Sequence, residues 1–428
     1  MTATAPRAGE AATPRVLRRT LTVLVVSQAL GGAGMAAGIT VGALLAEDLL
    51  GSTGLAGLPA ALFTAGAALG AAVIGRVSQR RGRRPGLALG HGAAALGSAG
   101  VVAGAAWQWA WLLLASLFVY GAGTATGLLA RYAGADLAPP ERRGRATGTV
   151  LLATTLGAVA GPNLVGPTGT LAHAWGVPRL AGPFLLASAA YAAAALVLLL
   201  WLRPDPLLLS RAAPPQEPVA AAAPGSGRFT PGVVTGATVM ITAQLVMIAV
   251  MTMTPVHMAA HGHGAQAVGL VIALHVGAMF LPSPLSGLLA DRFGRLPVAA
   301  ASGAVLLGAG LLAGLAPPGG VLWPACALVV LGVGWNLALV SGTALVTDAS
   351  PAKSRASVQG LVDVGMSLAG ATGGMASGLV VAGGGYPLLA VAAGALALAV
   401  IPAVAARGRG AGSGVDAGAG SGVGSNTA

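Results

Sequence analysis

The sequence predicts an all-α integral membrane protein of twelve transmembrane helices arranged as two pseudo-symmetric six-helix halves. Three observations carry this expectation. Of 428 residues, 55% are hydrophobic and only 8% charged, against roughly 25% charge in a soluble domain. Apolar runs of about 20 residues, the length a helix needs to cross about 30 Å of hydrocarbon, occur twelve times. A shift of 212 residues superposes the two halves: Gly75, Gly82 and Arg83 fall on Gly287, Gly294 and Arg295, while Asp136, Pro139, Arg143 and Gly148 fall on Asp348, Pro351, Arg355 and Gly360.

The elements follow in order from apolar runs and the arginines between them. Residues 1–19 form a polar tail ending in Arg15, Arg18 and Arg19, with no small-residue cleavage site after the first run, so the first helix, from about Thr20, is retained. Further runs start near Leu55, Leu87, Trp109, Ala146 and Pro183, completing a first half over 20–202. Basic residues cluster after the second run (Arg76 to Arg84) and the fourth (Arg142 to Arg145). A Pro- and Ala-rich cytoplasmic linker, 203–229, leads to the second half, 230–405, with runs from Gly232, Ala267, Val298, Leu322, Val358 and Leu388. Arg292 and Arg295, then Lys353 and Arg355, repeat the alternation, and residues 406–428 form a Gly/Ser-rich disordered tail. Of the 23 Lys and Arg, only Arg179 falls in a connection on the other side, so the positive-inside rule places both termini in the cytoplasm. Six of seven tryptophans flank run ends as interfacial anchors, Trp335 being the exception.

This distribution explains the net charge of +12 by topology rather than by nucleic-acid binding. The single cysteine, Cys326, excludes an internal disulfide. No nucleotide-binding loop or hydrolase motif is present, so the chain is expected to be neither an enzyme nor a cofactor protein, and to act as a monomer in the cell membrane on a small solute or metal ion.

Two loops carry a family resemblance. Gly287-Leu-Leu-Ala-Asp291-Arg292-Phe-Gly294-Arg295 closely resembles the signature loop of the major facilitator superfamily, and Gly75-Arg-Val-Ser-Gln79-Arg80-Arg81-Gly82-Arg83 is its partner in the first half. The physical sense of the loop is a turn at Gly, an acid near a neighbouring helix's positive N-terminal end, and arginines at the cytoplasmic surface. The resemblance implies two halves rocking about a central site. Gln79 replaces the usual acid in the first copy, which weakens a charge-based lock there and shifts gating towards Asp291. Gly148, Gly157, Gly161, Pro162 and Gly166 resemble the fifth-helix glycine motif of proton-exchanging exporters, with Val165 in place of one glycine; a small-residue helix interface with a proline kink accounts for the same pattern. The fourth-helix arginine linked to proton coupling in such exporters is replaced by Ser116.

Soft donors concentrate in the second half. Six of ten methionines and four of six histidines lie in a stretch of about forty residues. Met247 and Met251, then His275 and Met279, are each four apart, which places each pair on one helix face. At 1.5 Å per residue, antiparallel seventh and eighth helices bring these residues to similar depths, near the midplane. Thioethers favour Cu(I) and imidazole accepts several transition metals; packing by methionine is the competing explanation. Met253, His257, Met258, His261 and His263 continue towards the outer connection as an accessory metal entry. Met247-Ile-Ala-Val-Met251 and His275-Val-Gly-Ala-Met279 are similar to the paired motifs of the CcoA-like copper importers within the superfamily, in which these four positions carry copper. Riboflavin transporters lie close to the same branch.

Asp363 is the one acid inside an apolar run away from its charged ends, and such a residue is by default a functional candidate, here for coupling; a structural hydrogen bond is the alternative. Gln28, Gln244 and Asn336 are weaker cavity candidates. Copper import is the first functional expectation, with proton-coupled export of small hydrophobic compounds, riboflavin-like uptake and a membrane metal sensor as alternatives.

Overall fold

The computed structural model describes residues 14–50, 58–212, 229–317 and 320–405. The expected tail up to residue 13, the linker over 213–228 and the terminal tail from 406 lie outside the described residues. Among the described residues the regular structure is helical. The first half comprises α1 (Pro14–Leu50), α2 (Leu58–Arg81), α3 (Arg83–Ala106), α4 (Ala110–Tyr120), α5 (Ala122–Ala135), α6 (Arg143–Asn163), α7 (Val165–Ala174) and α8 (Gly182–Trp201). A short α9 (Pro206–Ala212) precedes the second half: α10 (Pro231–Ala260), α11 (Ala265–Phe280), α12 (Ser283–Phe293), α13 (Arg295–Leu315), α14 (Leu322–Ala349) and α15 (Arg355–Ala397).

Nine described helical stretches are long and apolar enough to cross a membrane, and the last, Arg355–Ala405, has 51 residues. At 1.5 Å per residue that is about 77 Å, enough for two crossings, and Gly385 with φ 77° divides it. With α1 and the pair α6–α7 the crossings number twelve. Three are broken helices. Gly121 separates α4 from α5 where the backbone presses on α2, so that a Cβ there would come within 2.7 Å of the Ala67 amide nitrogen. Leu164 separates α6 from α7. Pro282 and Pro284, which cannot donate to the preceding turn, separate α11 from α12.

Two boundaries differ from the sequence expectation. α1 begins at Pro14, six residues before Thr20, because Pro suits a first helical turn and the stems of Arg15, Arg18 and Arg19 let a helix extend past the hydrocarbon. Residues 206–212 of the expected linker are helical: the Asp205 carboxylate accepts from the amides of Leu207 (3.0 Å) and Leu208 (3.2 Å), and Leu207 and Leu209 are buried.

The repeat is physical as well as textual. α1 packs on α6 as α10 packs on α15, and the halves meet through α2 against α15 and α6 against α12. Gly82 and Gly294, repeat partners at the turns into α3 and α13, have φ of 98° and 94°, a region essentially closed to other residues. Gly294→Ala is expected to lose about 1–3 kcal/mol, measured as a lower thermal midpoint in detergent. Gly308→Ala, where a Cβ meets nothing within 4 Å, is the control and should hold or gain stability.

Candidate transport site and gate

The end of the molecule carrying the basic loops is closed by close backbone approach. A Cβ added at Gly75 would stand 2.9 Å from the Gly360 Cα, and one at Gly144 would stand 2.5 Å from the Gly287 carbonyl oxygen. Both approaches lie within about two turns of the basic loops. Only glycine lets transmembrane backbones come this near. Gly148 belongs to the same contact, facing the Ser283 carbonyl across the halves, whereas Gly157 faces the backbone of α1 at Ala29 and Ala33. The five-residue glycine motif therefore does not act as one surface. Gly166 meets nothing within 4 Å, and Gly161 and Pro162 fall in the last turn of α6.

Three polar layers accompany these contacts. In the outermost, the Asp291 carboxylate accepts from the amides of Gly144 (2.9 Å) and Arg145 (3.0 Å) at the start of α6. Gln79 does the equivalent at the start of α15: its Oε1 accepts from Ala356 (2.7 Å), and its Nε2 donates to the Lys353 carbonyl (2.7 Å). An amide both accepts and donates, so Gln79 is not the idle copy that its missing charge suggests. The Arg145–Asp291 ion pair, at 3.6 Å with Arg145 half exposed, adds little. Arg80 and Arg292 stay exposed, outside the network.

The second layer repeats across the pseudo-symmetry. Arg83 pairs with Asp136 at 2.7 Å, and Arg295 with Asp348 at 3.2 Å. Each pair is then tied to the opposite half, the first through an Arg83–Gln359 hydrogen bond and the second through an Arg143–Asp348 ion pair.

The innermost layer has no repeat counterpart. Asp363 on α15 is not isolated, as its apolar surroundings in the sequence suggest: Arg131 on α5 holds it bidentately, at 2.6 and 3.1 Å, with the two side chains 0% and 2% exposed. Arg131 also donates to Thr343 Oγ1 (2.8 Å) and Tyr132 (3.1 Å). The fourth crossing thus does carry a buried arginine, fifteen residues after Ser116 and nearer the basic end.

The second half contains the soft-donor region. Met247 and Met279 are buried and Met251 is partly buried in one apolar cluster with Phe280 and Trp335. α11 packs chiefly on α14 rather than on α10, so α14 stands between the two sequence pairs. Trp335, the tryptophan away from any interface, explains its place: its Nε1 donates to Gln244 Oε1 on α10 at 2.7 Å and its ring meets Phe280 of α11 edge-on at 5.7 Å. His275 is fully buried and turned to α14, with Nδ1 2.7 Å from the Leu328 carbonyl. A carbonyl only accepts, so Nδ1 carries the proton and Nε2 keeps its lone pair, which has no protein partner. Asn336 braces the break between α11 and α12 by donating to the Met279 carbonyl (2.7 Å) and Ser283 Oγ (2.6 Å). In the first half Gln28 is spent on the Gly127 carbonyl (2.8 Å) and Thr154 (3.2 Å). At the end opposite the basic loops, His257, Met258, His261 and His263 line one small cavity with Tyr386; Met253 is instead packed against the apolar cluster. Among the described residues no three His, Cys, Asp or Glu are placed so that they could together hold a metal ion.

Two similar helical halves joined at one end by a polar network that spans their interface, with a packed region rich in methionine and histidine beyond it, define a membrane carrier that exposes a central site alternately to its two sides. The chain belongs to the Major Facilitator Superfamily, whose family model matches residues 21–374 and again 265–421; it is a multi-pass secondary transporter and not an enzyme. Two uncharacterized MFS-type transporters of Bacillus subtilis (strain 168), YddS and YdeG, are each 50% identical to it across 89% of this chain and 89% of the relative. Riboflavin transporter RfnT of Brucella anthropi is 32% identical across 81% of this chain and 85% of its own. Among solved structures, the human organic anion transporter MFSD10 superposes with a TM-score of 0.74 at 17% identity, covering 92% of this chain and all of that one, 100%. A bacterial homologue of the iron transporter ferroportin in the outward-facing state gives 0.68 at 15% identity, covering 90% and 99%. At such identities the likeness is one of fold.

Proposed function

We propose that the chain imports copper, as Cu(I), across the cytoplasmic membrane, working as a monomer with both termini in the cytoplasm. On this reading the closed basic end is the cytoplasmic gate and the arrangement described is the outward-facing one. The observation that carries the reading is His275: a backbone carbonyl fixes its tautomer, the arrangement by which proteins orient metal-binding imidazoles, and its free Nε2 lies one helical turn from the Met279 thioether. Met247 and Met251 supply further soft sulfur on α10. Asp363 is the coupling residue: a proton on its carboxylate removes the charge that holds Arg131 and releases the halves.

A second reading, uptake of a riboflavin-like organic solute, is favoured by the relation to RfnT over most of both chains. One strain set separates the two. Radioactive copper uptake and riboflavin uptake are measured with Met247→Leu, Met251→Leu and His275→Gln, the Met→Leu changes nearly conserving volume. Copper import requires uptake to fall roughly tenfold or more in each variant at unchanged abundance. Wild-type copper accumulation in all three, with riboflavin uptake dependent on the chain, replaces the first reading by the second.

A further inference from the structure

An open groove runs down the side of the first half at the basic end, between α1 and the start of α6. On α1 its wall is Leu17, Leu21 and Val25, which four-residue spacing puts on one helix face, with Arg18 beside them; opposite stand Arg142, the residue before α6, and Thr149. At 1.5 Å per residue, Val25 lies about 10 Å deeper than Arg18, and Thr149 about as far beyond Arg142. The two guanidiniums therefore sit at headgroup level, and the apolar stripe descends from there into the hydrocarbon. The groove encloses about 360 Å³, far above the 10–15 Å³ or so that admits one water, so it takes a large occupant with a polar end and an apolar body. Ion pairs among the described residues engage neither Arg18 nor Arg142. Glu141, next to Arg142 in the chain, does not line the groove. Residues 1–13, which lead into the groove at Pro14, carry Arg7 and Glu10 and so bring no net negative charge to the two arginines.

We infer that this groove binds one anionic phospholipid of the surrounding leaflet, with its phosphate between Arg18 and Arg142 and an acyl chain along Leu17, Leu21 and Val25. Arginine presents a fixed fork of donors that matches phosphate oxygens, and basic pockets between membrane helices take anionic headgroups in this way. A zwitterionic lipid offers the same acyl chains but offsets its phosphate with its own cation, so the two arginines discriminate by net charge. Arg142 is followed by Arg143, whose ion pair with Asp348 joins the halves, and by Gly144, whose amide donates to Asp291. A lipid held at Arg142 therefore lies against the gate from the membrane side. The site does not depend on which solute the carrier moves.

The test is native mass spectrometry of the full-length chain in detergent, titrated with phosphatidylglycerol or with phosphatidylcholine of matched acyl chains. The wild type is expected to retain one phosphatidylglycerol in preference to phosphatidylcholine. A basic side chain at an anionic headgroup is worth about fivefold, so Arg18→Gln combined with Arg142→Gln should weaken phosphatidylglycerol roughly thirtyfold and remove the preference. Both side chains are exposed, and parental thermal midpoints check that the variants fold. Arg15→Gln combined with Arg19→Gln takes the same charge from the same end outside the groove, and should keep the preference. Thr22→Trp, at an exposed position of the groove wall, retains both arginines but fills the groove, and should displace the lipid. Equal retention of the two lipids by the wild type overturns the inference, as does equal loss in the two double variants, which would assign binding to general surface charge. Displacement of the bound lipid by excess glycerol phosphate would make the groove a plain anion site and overturns it too. So does preferential binding that appears only after deletion of residues 1–13, which would give the groove to the chain's own tail.

Discussion

Asp363→Asn and Arg131→Met are each expected to abolish transport and to open the basic end of the protein. Either change leaves its partner as a buried, uncompensated group between the halves, and breaking a buried pair in this way costs about 3–5 kcal/mol. That penalty falls on the closed arrangement alone, because separation of the halves readmits water to the survivor. With each 1.4 kcal/mol worth about tenfold, the closed population falls by roughly a hundredfold or more. The reporter is Thr347→Cys in a Cys326→Ser background, since Thr347 is fully buried in the inter-half network through its hydrogen bond from Gln359. Labelling of position 347 by a water-soluble maleimide should rise strongly in both single variants. Joint replacement, Arg131→Met with Asp363→Leu, removes both charges and should return labelling towards the parent value while leaving transport without pH dependence. Parental labelling and parental pH dependence in Asp363→Asn would reduce the pair to a structural hydrogen bond.

The ease with which each part of this gate is read from sequence follows from its symmetry. Gly82 and Gly294, Arg83 and Arg295, Asp136 and Asp348 recur at one offset because both halves make the same turn and the same local ion pair. Gln79 is visible as a departure from its partner Asp291, but charge alone misjudges it: what the start of α15 requires is an acceptor, and an amide oxygen supplies one while its nitrogen engages the Lys353 carbonyl. Arg131 carries no such signal. Its repeat partner is Thr343, which it touches, and Asp363 corresponds to Leu151, so the pair exists only where the two halves differ. The two residues are 232 positions apart, and each looks unpartnered within its own apolar run.

The soft-donor region is legible for a different reason and to a different extent. Four-residue spacing does put Met247 with Met251 and His275 with Met279 on common helix faces. Spacing says nothing about which neighbour that face meets, and in the fold α14 rather than α10 takes the His275 ring. The side chain responsible, Trp335, is visible in the sequence only as a tryptophan in the wrong place for an interfacial anchor. Its indole bridges Gln244 and Phe280 and so holds α10 and α11 at a distance set by α14, which is a tertiary property that no local pattern encodes.

Gly287→Val is expected to stop transport by the opposite route, with the protein folded but unable to close its basic end. A Cβ at Gly287 would stand 2.7 Å from the Arg145 amide nitrogen, and one at Gly144 would stand 2.9 Å from the Asp291 carboxylate. Backbone on a packed helix cannot swing aside as a flexible side chain does, so relief requires moving α12 away from α6, which separates the halves. That movement also withdraws Asp291 from the start of α6 and loses two hydrogen bonds to a charged acceptor, about 1.5–3 kcal/mol each. The same substitution at Gly308, in open space on α13, is the control for the cost of a β-branched residue in a helix. Substrate uptake by Gly287→Val should be undetectable while expression and thermal midpoint stay near the Gly308→Val values, and maleimide labelling of Thr347→Cys should match that of Asp363→Asn. The two variants differ in one respect: Gly287→Val keeps the Arg131–Asp363 pair chemically intact, and because the clash is that of the Cβ itself, Gly287→Ala is expected to lose transport as well. Wild-type uptake by Gly287→Val would mean that the halves need not approach at α6 and α12 during the cycle, and the gate would then rest on α2 and α15 alone.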